Sequence, residues 1–380
     1  KRLRDSSCEY RTCLISGGDN FYEATPTPEE ELKTFSFHSE IAFIASMDNI
    51  IRYGSVEGIP LYNCSGHTSE EWSELKGTKW PILGACQAAY GIMIDVLYLP
   101  ILSIIFEKEN FKMSCFKIMY LLGIIDFLIT YVNSILTGWL AMKGAVYCTH
   151  PNIIYISGMV VCALWCSSCM TALLLVANRL LGMTKPSLAV KLRKTYIALV
   201  FPILYFIYFL FTAPLVFNSK YLAWFYTPMI FDDGATEYFN HSHTVNNFLI
   251  VTLTCIVYTP FRWVIGTNLK HVKNANASQL QNTKTQVFLQ STLICAANQV
   301  CATIYVVMNV TEVPNWLIMF AHFTWEFIHG APVFIYLALN RMIRERFLEK
   351  MNMMKGGMFR ETTSMMPINK SVSSPVVIVN

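Results

Sequence analysis

Long apolar blocks separated by short polar stretches dominate this chain. Seven blocks reach the roughly 20 residues needed to cross a hydrocarbon layer. They are residues 80–106, 118–142, 153–177, 196–217, 243–265, 286–310 and 316–339. The fifth is the weakest, because Arg262 lies near its end. A backbone in lipid must satisfy its own N–H and C=O groups within the segment, so each block is predicted as a helix. The predicted fold class is all-α: an integral membrane bundle of seven transmembrane helices.

The polar stretches orient the bundle. Lys108, Lys112 and Lys117 follow the first span. Arg179, Lys185, Lys191, Arg193 and Lys194 follow the third, and Lys270, Lys273 and Lys284 the fifth. The seventh runs into "NRMIRERFLEK", whereas the alternate loops carry only Lys143 and Lys220. Basic loops stay cytoplasmic, which puts the N-terminus outside and the C-terminus inside. The sequons at Asn63 ("NCS") and Asn240 ("NHS") fall on the predicted outer side and are candidate glycosylation sites. Trp80, Trp139, Trp224 and Trp316 fall near outer boundaries, where indole rings anchor.

Composition agrees with a membrane protein: 54% of residues are hydrophobic and 14% charged, against about 25% charged in soluble domains. Four regions follow. Residues 1–46 fit poorly with the rest and read either as an extension that precedes a natural start at Met47 or as a disordered outer tail. Residues 47–79 form an outer segment, 80–339 the seven-helix domain, and 340–380 a cytoplasmic tail. The tail opens with a short amphipathic helix carrying Ile343, Phe347, Met351 and Met354 on one face, suited to the inner lipid surface. The basic residues track membrane flanks and form no free stripe, so no nucleic acid is expected as a partner; membrane lipids are.

Of twelve cysteines, seven lie inside spans, where free Cys behaves as a small apolar residue. Cys115 is cytoplasmic and stays reduced. With Cys8 and Cys13 set aside, Cys64 and Cys148 are the outer pair, and a disulfide between them would tie the N-terminal segment to the top of span three.

Ionisable residues inside spans are costly and mark function by default. Here they are Asp95, Asp126 and Glu326, with Asn133 on the face of Asp126. In "HFTWEFIHGAPVFIY", helical spacing puts His322, Glu326 and His329 on one face. Three readings stand: a zinc centre, a ligand pocket in which Glu326 meets an amine, or packing satisfied by neighbouring helices. A zinc centre needs a further ligand that spans two, three and six do not offer as histidine, so neither metal nor cofactor is expected. His241 and His243 have metal-like spacing on an extended strand, but H-x-H alone is a weak signal.

The stretches "LYNCSGHTSEEW", "YLLGIIDF", "KGAVYCTHP", "ANR" (177–179), "FTAPLVFNSKYLAWFYTP", "NHSHTVNN", "QVFLQSTLICAANQVCATIYVVMN" and "HFTWEFIHGAPVFIYLALNRMIR" occur in that order between about residues 53 and 345. Together they resemble the nematode serpentine chemoreceptors of class T (Srt). The resemblance implies a G-protein-coupled receptor of chemosensory neurons, in the plasma membrane of sensory cilia. Its partners would be a small extracellular ligand, such as an odorant or pheromone, and a heterotrimeric G protein.

The chain departs from the rhodopsin-like pattern. Asn178–Arg179 stands where an acidic–Arg pair is usual, span six has no Trp-x-Pro, and no Asn precedes Pro332 in span seven. By position Arg179 would bridge to spans five and six or to the G protein. Asp126 would either hold sodium and help switch states or hydrogen-bond to Asn298 or a span-seven partner. A transporter or channel is the alternative, disfavoured because no inverted repeat is visible. An intramembrane hydrolase lacks ligands, and an opsin is excluded because span seven has no lysine.

Overall fold

A computed structural model describes residues 47–184, 197–230, 238–268, 275–311 and 313–364; the side chains of 182–184, 197–198, 258–268, 275–285, 287 and 354–364 are outside that description. The expectations for residues 1–46, including Cys8 and Cys13, for the loop residues from Lys185 to Lys194, for Lys270 and Lys273, and for the Arg262, Lys284 and Met354 side chains lie outside it.

A helix falls on each of the seven apolar blocks, the fourth with only 13 residues. These helices are α1 (Pro81–Ile105), α2 (Ser114–Lys143), α3 (Pro151–Thr184), α4 (Ile197–Phe209), α5 (His241–Asn268), α6 (Ala275–Val310) and α7 (Asn315–Leu339). Among the described residues four segments are long and apolar enough to cross a membrane by themselves: Pro81–Ile105, Ser114–Lys143, Pro151–Leu181 and Phe288–Val310. The apolar part of α4, Leu199–Phe209, is shorter. α7 is as long as α1, but His322, Glu326 and His329 dilute its apolar character.

Block four was expected to run to residue 217, yet α4 stops at Phe209. The next amides turn back onto carbonyls three residues earlier: Phe211 N to Tyr208 O at 3.1 Å and Thr212 N to Phe209 O at 3.2 Å. Pro214 follows, and the residue before a proline is steered out of helix. The chain then forms a hairpin of β1 (Val216–Asn218) and β2 (Ala223–Phe225), antiparallel with Phe217 opposite Trp224. Gly158 of α3 lets this chain approach, since a Cβ there would overlap the Leu215 carbonyl.

α3 is the central helix. It packs on α2, α4, α5 and α6, and 83% of its apolar window is buried, against 28% for α6. α1 packs on α2 through facing glycines, Gly84 and Gly138, each of whose added Cβ would strike the other's carbonyl. Small residues at such crossings let helix backbones touch. The bundle is apolar outside, and its largely apolar interior also holds polar groups. Val96, Leu99, Leu204 and Phe327 are 57–60% exposed, while Asp126, Asn133, Ser168, Asn247 and His329 are nearly all hidden. Lipid is the medium that suits such an exterior.

The outer segment is built on the bundle's Cys148 end. Cys64 and Cys148 form a disulfide, with Cα atoms 5.5 Å apart and a separation of 84 positions in sequence. Beside it Tyr62 meets Tyr147, Tyr155 and Tyr238 edge-on at 5.0–5.6 Å. Burial pushes the Tyr62 phenol well above its ordinary range. A short helix, Ser69–Lys76, carries a capping box in which Thr68 and Glu71 exchange side-chain and backbone hydrogen bonds. Those bonds hold the Glu71 carboxyl below its ordinary value.

The tail helix α8 (Arg341–Ser364) is longer than expected. Asn340 caps it by accepting from Ile343 N at 3.1 Å, and Lys350 donates to Ser103 of α1 at 2.8 Å. Ile343 is fully buried and Phe347 packs against the same cluster. So the apolar face of α8 lies partly on protein, where a lipid surface was expected.

Two outer-boundary expectations change. Asn240 is 3% exposed: its amide donates to Thr212 Oγ1 and Ala213 O, and its carbonyl accepts from His243 N. It is the cap of α5, with no free amide for a glycan; Asn63 stays exposed. Trp224 is no interfacial anchor either, being 7% exposed and donating to Thr137 Oγ1 at 2.9 Å.

Candidate functional site

His322, Glu326 and His329 are all buried, on the inner face of α7. The fold divides them between two clusters. At one, Glu326 Oε1 accepts from Gln87 Nε2 of α1 at 2.7 Å, and His322 Nε2 lies 3.0 Å away in an ion-pair contact off the hydrogen-bond direction. At the other, His329 Nδ1 meets Asp126 Oδ1 of α2 at 2.8 Å. Ser168 of α3 donates to the same oxygen at 3.3 Å. The Tyr98 hydroxyl donates to the His329 carbonyl at 2.7 Å and stands 3.3 Å from Asp126 Oδ2. Asp126 thus has a span-seven partner, one of the two arrangements considered for it. Among the described residues these contacts join α1, α2, α3 and α7 deep in the bundle, where an unpaired ionised group would be costly.

Local structure sets up this geometry. α2 contains a π-helical stretch, Tyr131–Leu136, which rotates the helix beyond Asp126. Asn133 there is fully buried and donates to the Trp325 carbonyl at 3.4 Å. Single π turns are frequent at functional positions. The alternation of apolar and polar residues in "YVNSIL" gave no sign of it.

Asn178 and Arg179 sit near the C-terminal end of α3. Asn178 Nδ2 donates to Ser114 Oγ at 3.2 Å, tying α3 to the start of α2. The Arg179 guanidinium points the same way, with Nη2 3.5 Å from Met119 Sδ. This contact is with α2 and not with spans five and six, one of the two alternatives considered for Arg179; the other was the G protein.

A cavity of about 240 Å³ lies among α3, the hairpin, α5, α6 and α7. Trp165, Trp224, Phe225, Tyr305 and Trp325 give its wall an aromatic part, and His243, Tyr226 and Asn309 add polar edges. Glu326, His322 and His329 do not line it. Successive helical residues point about 100° apart, so Trp325 faces the cavity while Glu326 faces α1. The hairpin residues Trp224 and Phe225 wall this cavity. Sequence reasoning passed over Trp165, Trp325 and Tyr305 because an aromatic in an apolar run gives no sign of the face it takes.

The cavity and the buried pair share a wall. Trp165 lines the cavity and packs edge-on against the His329 ring at 5.7 Å; Trp325 does so at 6.4 Å. Trp165 Nε1 is held by Asn247 of α5 at 3.2 Å. His241 and His243 lie on the first turn of α5, not on a strand, and only His243 is buried.

The sequence profile of the family described as "Serpentine type 7TM GPCR chemoreceptor Srt" matches residues 49–358. A curated relative, "Serpentine receptor class T-55" of Caenorhabditis elegans, is 26% identical over 292 residues, covering 76% of this chain and 79% of that protein. The matched region takes in all seven helices, the outer disulfide, the buried Asp126–His329 pair and the cavity, and on that basis the chain belongs to the Srt family of serpentine chemoreceptors, a receptor family of membrane proteins.

Proposed function

We propose that this protein is a plasma-membrane receptor that takes a small extracellular molecule into the cavity beside Trp165 and Trp325 and signals through a heterotrimeric G protein. The cavity is the observation that supports this reading. It is smaller than the roughly 300–1,000 Å³ common for drug-sized ligands, which suits a compact odorant or pheromone. Its wall is in part aromatic, with His243 and Asn309 as polar edges, so the ligand is an apolar body with one or two hydrogen-bonding groups. Occupancy would press on Trp165 and Trp325, and through them on His329 and Asp126, which join α2 and α3 to α7.

The test is a small-molecule screen in cells that express the receptor and report second messengers. Ala223 is 4% exposed and lines the cavity. Ala223→Phe is expected to fill it and abolish the response to any molecule found, at an unchanged surface level. A full response from that variant would place the ligand elsewhere.

All seven helices span the membrane in this reading, with the N-terminal segment outside, as the basic loops indicate. The sensory cilium is the membrane that the family suggests. A tag placed before Met47 is expected to stain on intact cells, and one after Lys350 only after permeabilisation. Staining of the second tag on intact cells would overturn the topology.

A further inference from the structure

We propose that Cys162, Cys166 and His243 form a Zn²⁺ site in the wall of the cavity. Cys162 and Cys166 are one helical turn apart on α3, so both thiols face the same way. His243 reaches them from the first turn of α5. The three ligand atoms lie within 4.8 Å of one another. Around a tetrahedral zinc, sulfur and nitrogen ligands stand roughly 3.5–3.8 Å apart, a contraction that side-chain rotation can supply.

A second observation points to a ligand there. His243 is 7% exposed, and its Nδ1 is buried with no hydrogen-bond partner. A buried imidazole nitrogen left so is costly unless something binds it. Cys162 and Cys166 are likewise almost wholly buried.

Charge selects the ion. Thiolate and imidazole suit soft or borderline transition metals and exclude magnesium and calcium. Two thiolates neutralise a divalent ion, and a neutral centre is the form that an apolar interior tolerates. Cu⁺ with the same ligands would leave a net negative charge. On binding, the two thiol protons leave to solvent and two Zn–S bonds and one Zn–N bond form. Three protein ligands leave one position open, the arrangement of zinc sites that hold water or an exogenous group. Of the three ligands His243 lines the cavity, beside Tyr226 with ring centroids 5.7 Å apart, so the site borders the cavity on the His243 side.

The site shares His243 with the ligand cavity, but its test stands apart from the receptor reading, because metal binding is measured with neither ligand nor G protein. The full chain is purified in detergent, kept reduced, stripped with a chelator and titrated with Zn²⁺, with Co²⁺ as the spectroscopic probe. One equivalent is expected, with a thiolate-to-cobalt charge-transfer band. Cys162→Ser and Cys166→Ser are each expected to weaken binding about 100-fold or more, beyond what outer-shell changes cost. His243→Asn is expected to weaken binding while the band persists at high Co²⁺. Cys169→Ser, a buried cysteine of α3 outside the triad, is expected to bind as the parent does.

If the serine variants do not fold, the parent protein decides. Zn²⁺ must then slow alkylation of Cys162 and Cys166 during partial unfolding and leave Cys169 unprotected. No charge-transfer band in the parent, equal protection of Cys169, or loss of binding with Cys169→Ser would each overturn the site.

Discussion

Asp126→Ala is expected to destabilise the folded protein by about 2–6 kcal/mol, because it strands two buried partners, His329 and Ser168, at about 1–3 kcal/mol each. Folded domains hold only about 5–15 kcal/mol in total, so surface expression is expected to fall sharply. The cost falls on several groups together: His329 Nδ1 at 2.8 Å, Ser168 Oγ at 3.3 Å, and the Tyr98 hydroxyl, which keeps the His329 carbonyl as acceptor. Asp126→Asn keeps the shape and one acceptor, so its loss is expected to be smaller, about 1–3 kcal/mol. Thermal melting in detergent, with surface staining, checks both. A melting temperature unchanged in Asp126→Ala would mean that the pair does not hold α2 to α7.

Glu326→Leu is the second large effect, and its companion variants separate structure from ligand contact. Leucine strands Gln87 Nε2, which donates to Glu326 at 2.7 Å, and leaves His322 without its neighbour. A buried donor left unpaired costs about 1–3 kcal/mol. Adding Gln87→Leu removes the stranded group, so the double variant is expected to recover much of that loss. Glu326→Gln still accepts from Gln87 and is expected to keep stability. Since Glu326 does not line the cavity, Glu326→Gln is also expected to keep ligand potency. A fall of about 100-fold at normal surface level, the size expected for a lost buried charge contact, would instead put Glu326 on the ligand. A double variant no more stable than Glu326→Leu would remove the Gln87 contact from the account.

The helix count, their places and the polar residues facing inward were legible in the sequence, for one physical reason. A helix in lipid must present some 20 apolar residues in a row, so the blocks show themselves, and any charge inside them stands out. Helix ends such as Ile105 and Leu339 fall within a residue of the blocks read at 106 and 339. The outer Cys64–Cys148 pair was legible because few outer cysteines compete for it. The end of α4 was not, since "LFTAPLVF" is apolar whether it spans or turns into a hairpin that buries itself on α3.

Partners across helices were decided by the tertiary structure alone. Helical spacing placed His322, Glu326 and His329 on one face, but which neighbour each meets depends on how α1 and α2 are set against α7. Gly84, Gly138 and the π turn of α2 govern that setting through backbone contacts that no side-chain pattern records. The same limit hid the cavity, where Trp165, Trp325 and the hairpin come from segments far apart in the chain. It hid the grouping of Cys162 and Cys166 with His243 as well. Lipid exposure is a property of a segment and can be read along the chain; juxtaposition belongs to the packed bundle, and only its geometry brings a thiol, an imidazole or an indole to a common wall.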